Sequence, residues 1–404
     1  MFDHAALPPP GTSPAEVNAW WKAMNASQQQ RFIHEFPAQI GWLNGLPATA
    51  RDQANRMVLA QEKASLQAQL ASLQGSEPRN PGGGPVPDPM PGPSVAVARI
   101  EAKLAEISAV ETGLSNAAAV AGGRNVFLLG FDTNGNGHAI VAVGNPDTAT
   151  NTVTYVPGLG SKTTGAVGDV GRATALWQQA THVAPPGTTV SSIYWLGYNA
   201  PQLGLDQGLH NLDVTSTADA VAGGQALSQF QGGLQAAHQP GMPSHTVVLG
   251  HSYGSLVVGE AAAHSGLHPG DIIVVGSPGV GVNNVSQLGL PAGHVWAGAN
   301  IYDPVPMLPP SDPVNALSDP NAAHFGTNPA TTAFGGKVFD ATTDPGRSFS
   351  GIDISAHSAY WDPRSSSLSN MAYIVDGQYG NVSQQMPVPT PAPGPQPTPG
   401  PAAP

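Results

Sequence analysis

The sequence contains no cysteine, which removes disulfide frameworks, thiolate metal sites and thiol nucleophiles together. Charge is scarce too: only 10% of the 404 residues are Asp, Glu, Lys or Arg, and the balance is acidic, with a formal net charge of -12. Nucleic acid is excluded as a partner, because its phosphates need a basic footprint. No stretch reaches the ~18–20 apolar residues that span a bilayer. The opening MFDHAALPPPGTSP lacks a basic segment followed by an apolar one, so no ordinary signal peptide is expected. These absences describe a soluble protein, expected in the cytoplasm unless a non-classical route exports it.

Glycine and proline, by contrast, are abundant at 49 and 41 residues, and they divide the chain into many turns. Two stretches concentrate them. EPRNPGGGPVPDPMPGPS at 77–94 reads as a linker, and the segment from 386 to 404 as an extended, disordered tail. Around the linker lies a helical region, residues 1–123. Ser13-Pro14 predicts an N-cap serine with proline in the first turn, opening a helix that carries Trp20, Trp21 and Met24. Leu59, Leu66, Leu70 and Leu73 form one apolar stripe. Val97, Ile100, Leu104, Ile107, Val110 and Leu114 form a second, so the two segments could zip into an antiparallel helical hairpin.

From residue 124 to 385 short apolar runs alternate with helical stretches. Residues 126–129 and 139–143 flank Asp132–Gly137 as a hairpin, and further strands are expected at 153–156, 190–195, 246–249, 272–275, 294–297 and 337–339. Helices are expected at about 167–180, 215–237 and 253–264. A leading hairpin followed by alternating strands and helices implies an α/β class: a mostly parallel sheet with an antiparallel N-terminal hairpin, the order of the α/β-hydrolase fold.

Within that order, HTVVLGHSYGSLVVGEAAAHSG is an apolar strand, then G-x-S-x-G, then a small-residue helix. A serine on so sharp a strand-to-helix turn needs small residues two before and two after it, and the turn exposes its hydroxyl at the carboxyl edge of the sheet. Ser252 is therefore the candidate nucleophile. A hydroxyl needs a base, and the base needs orienting, in the chain order Ser, acid, His. Of the histidines that follow, His264 and His268 run away from that edge and His294 starts a strand at the wrong end. His324 precedes the last strand candidate, whereas His357 follows it and is preferred as base. Asp303, just past the strand at 295–297, is the preferred acid over Asp312, Asp340 and Asp353, although its place before Pro304 also suits a turn cap. The N–H groups of Tyr253 and of Leu159, in Pro157-Gly158-Leu159-Gly160, are candidate oxyanion donors.

Trp195, Tyr198, Trp296 and Tyr302 fall at strand ends; they could line an apolar acyl pocket or simply fill the core. Asp132-x-Asn134-x-Asn136-Gly137 begins like a calcium loop, but its twelfth position is Val143 and no helices flank it, so a hairpin turn is expected. Gly279-Val-Gly281 lacks the third glycine of a dinucleotide fingerprint, and no H-E-x-x-H occurs. No cofactor or metal is required by this chemistry.

With those residues in hand, the chain resembles an actinobacterial α/β-hydrolase family of unknown function with a tryptophan-rich helical N-terminus and a GHSYGS elbow. The matching segments are AWWKAM, GLPATARDQANR, the stretch 131–161, WLGYNAP, GHSYGS, GSPGVGV and AHSAYW. The proline-glycine break inside the helical region departs from that pattern. The resemblance implies a serine hydrolase with Ser252, Asp303 and His357 on the matching positions. The expected reaction is hydrolysis of a carboxylic ester, of an acyl lipid or cell-envelope component, falling off at acid pH as the histidine protonates. Amide hydrolysis by the same triad, or a hydrolase fold that no longer turns over and serves as an interaction module, stand as alternatives. The N-terminal helices offer a lid or a surface for a protein partner.

Overall fold

The computed structural model of the chain describes residues 6–75, 95–202, 217–307, 325–342 and 353–386. The linker at 77–94 and the tail beyond Met386 lie outside the described residues, as do Asp312 and His324.

Helix α1 (Pro14–Lys22) begins where its sequence says it should. The Ser13 side chain accepts the Glu16 N–H while the Glu16 carboxylate accepts the Ser13 N–H, a reciprocal cap with proline in the first turn. Asn25 and Gln28 repeat the device for α2 (Ala26–Glu35), and Pro37 opens α3 (Pro37–Trp42). These short helices bury Trp20, Trp21, Phe32, Ile33 and Ile40 in a small core of their own. The striped segments are the long helices α4 (Ala48–Gly75) and α5 (Val95–Ala121). Leu59 and Leu66 from one, and Ile100, Ile107, Val110 and Leu114 from the other, are buried in a single core with the sheet.

Among the described residues the sheet has eight strands: β1 (Val126–Asp132), β2 (His138–Val143), β3 (Asn151–Val156), β4 (Val190–Leu196), β5 (His245–His251), β6 (Asp271–Val275), β7 (Val295–Gly298) and β8 (Lys337–Phe339). Their order is β1-β2-β4-β3-β5-β6-β7-β8. β2 runs antiparallel to both β1 and β4, and the remaining neighbours are parallel. This is the α/β-hydrolase arrangement expected from the sequence. Helices α6 (Ala166–Val183), α7 (Ala218–Ala237), α8 (Gly254–His264) and α9 (Ser366–Val375) cover it. Strands covered on both faces cannot alternate polar and apolar residues, and every residue of β3, β4 and β6 is buried.

The Asp132–Gly137 segment is the hairpin turn: the Asp132 carboxylate accepts the Asn134 N–H at 2.8 Å, and Gly135 and Gly137 take positive φ. Edge strand β1 would expose unpaired backbone groups, a template for aggregation. Helix α4 covers them. The Leu128 N–H donates to Asp52 Oδ1 at 2.7 Å, Asn55 Nδ2 donates to the Leu128 carbonyl at 3.0 Å, and Arg56 reaches the Val126 carbonyl at 3.2 Å.

Parallel strands bring their carboxyl ends to one edge. Chain segments leave β3, β5, β6 and β7 there side by side, which is where side chains far apart in sequence can meet.

Candidate active site

Strand β5 ends in the elbow, and the elbow is strained. Ser252 has φ 57°, and no other non-glycine residue among those described has a positive φ. The flanking glycines are obligatory for steric reasons. A Cβ on Gly254 would stand 2.2 Å from the Val156 carbonyl oxygen, and one on Gly250 2.6 Å from the Ser255 Cα. The Ser252 N–H is tied to the Val275 carbonyl at the end of β6, at 3.1 Å. Tyr253 is the N-cap residue of α8, so its N–H lies at the positive end of that helix.

Past β7, the Asp303 side chain is completely buried. Its two oxygens accept the Nδ1–H of His357 at 3.0 and 2.9 Å. Oδ1 also accepts the Val305 N–H at 2.9 Å, so the turn-capping role and the pairing with histidine coexist. A carboxylate can only accept, so Nδ1 carries a proton, and in the neutral ring this tautomer leaves Nε2 with its lone pair. His357 belongs to a 3-10 helix, Ile354–Trp361, rather than to open loop. His357 and Ser252 line one cleft.

The rival residues have other duties. Asp353 caps that 3-10 helix through the Ser355 N–H, and Asp340 accepts the Thr342 N–H. His264 pairs with Glu260, and His294 bonds the buried Asp271 at the amino end of β6, the far edge of the sheet.

Leu159 lines the same cleft. The approach of its loop depends on Gly158, whose missing Cβ would lie 2.6 Å from the Ser252 Cβ and 2.9 Å from the Tyr253 nitrogen. The segment after β4 braces the loop: Tyr198 O–H donates to the Pro157 carbonyl at 2.7 Å, the Gly160 N–H to the Pro201 carbonyl at 2.8 Å, and Gln202 to the Ser161 carbonyl at 3.0 Å.

Of the two readings open for the strand-end aromatics, core filling holds for Trp195, Tyr198 and Trp296, and none of the four is among the residues lining the cleft. Trp195 is buried and stacked on Tyr198, which holds the loop. Trp296 donates to Asp271 and stacks on Tyr379 at the amino edge. Tyr302 is tied through its backbone to Asn300 and Asp353. Strand-end position in sequence does not say to which edge a side chain turns.

Sequence reasoning assigned no role to Tyr360, Gly276, Arg172, Asp169 or Tyr155. Tyr360 donates its O–H to Asp303 Oδ2 at 2.6 Å, and burial, with the Asp303 charge, pushes its phenol well above the ordinary range, so it stays a donor. With three residues per 3-10 turn, His357 and Tyr360 fall on one face, and the AHSAYW motif carried that signal. Gly276 (φ 56°) leaves room for both partners, since a Cβ there would stand 3.0 Å from Asp303 Oδ2 and from the His357 ring. On the cleft wall formed by α6, Arg172 Nη1 donates to Asp169 Oδ1 at 2.9 Å and to the Tyr155 hydroxyl at 3.0 Å. Burial raises the Asp169 carboxyl. It would lower the Arg172 guanidinium, but Tyr155 and Asp169 outweigh it and carry Arg172 upward.

Comparison with known proteins agrees with this architecture. Residues 132–313 match the model of a family described as alpha/beta hydrolase. Two relatives from Mycobacterium tuberculosis (strain ATCC 25618 / H37Rv) bear the names uncharacterized protein Rv2079 and uncharacterized protein Rv0963c. The first is 32% identical over 393 residues, covering 92% of this chain and 57% of that protein. The second is 34% identical over 173 residues, covering 41% of this chain and 62% of that protein. The matches thus span less than two thirds of either relative. Among solved structures, a Pyrobaculum calidifontis esterase is 10% identical with a TM-score of 0.34, covering 72% of this chain and 95% of that one.

Proposed function

We propose that this chain, whose residues 132–313 match the model of a family described as alpha/beta hydrolase, is a serine hydrolase cleaving carboxylic esters. The observation that carries the reading is the buried Asp303 carboxylate bonded to His357 Nδ1, with His357 and the strained Ser252 on one cleft.

In this reading His357 Nε2 takes the Ser252 proton as Oγ attacks the carbonyl carbon. Asp303 steadies the imidazolium that results, and Tyr360 and the Val305 N–H hold Asp303 in turn. The backbone N–H groups of Tyr253 and Leu159 receive the oxyanion. Collapse of the tetrahedral intermediate releases the alcohol, which takes its proton from His357. Water then attacks the acyl-serine with His357 again as base, and the acid departs.

A fluorophosphonate probe should label the protein, and Ser252→Ala should abolish labelling. Labelling that survives the substitution overturns Ser252 as nucleophile. A folded wild-type protein that neither labels nor hydrolyses esters would instead be a hydrolase fold without turnover. Side-by-side rates on matched esters and anilides separate ester from amide preference.

A further inference from the structure

The cleft in front of Ser252 has a volume of about 210 Å³. Its lining is the wrong chemistry for a long acyl chain. Among the described residues, every side chain on it larger than glycine's hydrogen, apart from Leu159, is polar, including Ser161, Asp169, Arg172 and Ser358. We propose that this cleft selects esters of small polyhydroxylated alcohols, with the Asp169–Arg172 pair bonding the hydroxyls of the leaving group. The proposal rests on the serine-hydrolase reading above and narrows its substrate class.

The pair is held as a rigid recognition element. Asp169 and Arg172 stand one turn apart on α6, and the Tyr155 hydroxyl donates to Asp169 Oδ1 at 3.0 Å. The Arg172 guanidinium carbon lies 5.1 Å from the centroid of the Trp361 ring. These contacts engage Nη1 and Oδ1. Beyond these contacts the guanidinium keeps further N–H donors and the carboxylate a second acceptor oxygen, on two residues that both line the cleft. A hydroxyl accepts and donates at once, so it satisfies both. An alkyl chain would desolvate both groups and return no hydrogen bond. A carboxylate would gain Arg172 but meet the Asp169 charge.

The alcohol half of the ester belongs on this wall. His357 must hand its proton to the leaving oxygen, so the leaving group lies beside His357 and Ser358. Trp361, against which Arg172 stacks, shares the 3-10 helix of His357.

The test compares kcat/KM, by acetate release, for three acetate esters: glycerol monoacetate, butyl acetate and 3-acetoxypropionate. Wild type should prefer the glycerol ester over the butyl ester by roughly tenfold or more, the worth of a charge-assisted hydrogen bond. In Asp169→Asn and Arg172→Met the ratio should fall toward one. Equal or better turnover of the butyl ester overturns the proposal. Preference for the carboxylate-bearing ester overturns it in favour of anion recognition by Arg172, and a ratio that persists in both variants removes the pair from the assignment. If the variants do not fold, wild type alone decides. Glycerol must then inhibit p-nitrophenyl acetate hydrolysis more strongly than butan-1-ol, and the reverse order overturns the proposal. Fluorophosphonate labelling of Ser252 reports on the hydrolase reading independently of the ester ranking.

Discussion

His251 Nε2 donates to the carbonyl oxygen of His357 over 2.7 Å, and the two imidazole rings lie 4.6 Å apart. A carbonyl only accepts, so His251 carries its proton on Nε2. Burial first, then the charges of His357 and Arg172, hold its pKa well below that of an ordinary histidine, and the ring stays neutral. The residue inside the elbow thus grips the backbone of the candidate base.

Loss of that grip should act on geometry. His251→Phe is expected to lower kcat roughly 10- to 100-fold with a small change in KM, since misplacement by about 1 Å can cost that much. His251→Gln, whose amide can donate to the same carbonyl, should recover most of it. Steady-state kinetics on one ester check this; a kcat unchanged in the phenylalanine variant would remove His251 from the positioning machinery.

Asp303 and Tyr360 should separate by magnitude. Asp303→Asn leaves an amide that no longer stabilises the histidine tautomer, and a loss of about 10⁴-fold in kcat is expected. Tyr360→Phe removes one donor to a carboxylate that keeps the Val305 N–H and His357, so about tenfold is expected. Equal losses would mean that Tyr360 does more than hold Asp303.

Stability should respond to pH through two histidines of opposite sign. Unfolding returns buried His251 to the ordinary histidine value of ~6.5, so the unfolded chain takes up the proton first as pH falls. The contribution of His251 is present above ~6.5 and is lost below it. His245 is raised, chiefly by its hydrogen bond to Asp271. Its contribution is full below ~6.5 and is lost as pH rises through the raised folded value. Denaturant melts between about pH 5 and 8 should show His251→Gln flattening the acid arm and His245→Gln the alkaline arm.

Gly276→Ala should damage the site more than the fold. Its φ of 56° costs a non-glycine residue about 1 kcal/mol, and the added methyl presses on Asp303 and His357. A melting temperature lowered by a few degrees alongside a kcat lowered by more than tenfold is the expected pair of results. A kcat matching wild type would mean that the two side chains shift without consequence.

The N-terminal helices should prove inseparable from the sheet. Deleting residues 1–120 strips α4 from edge strand β1 and uncovers the buried face beneath α5, so aggregation is expected. Asp52→Ala is the mild version: an orphaned Leu128 N–H costs about 1–3 kcal/mol, to be read from urea melts. A soluble, active truncation would show that these helices serve another purpose.

Much of this was legible in local sequence. The capping serine before Pro14, the two leucine- and isoleucine-bearing stripes and the Asp132–Gly137 turn obey rules that act over a few residues, and each appears where expected. The elbow was legible because its glycines answer to backbone sterics within one turn. The preference for His357 over His264, His268 and His294 followed from which edge of a parallel sheet each would reach. The choice between pocket and core for the aromatics was not legible, for the complementary reason. Trp296 and Tyr198 turn toward Asp271 and Pro157, partners that lie 25 and 41 residues away in sequence.

The sequence by itself determined the order of strands and helices, the turn that presents Ser252 and the chain order of its partners, because periodicity, capping and glycine sterics are local. Tertiary structure alone decided that Asp303 and His357, 54 residues apart, share a hydrogen bond. It also decided that Tyr360, Gly276 and His251 converge on them, and that the cleft wall is a polar pair rather than an aromatic surface. Those outcomes depend on which loops the eight-stranded sheet brings to one edge, and no short-range pattern encodes that.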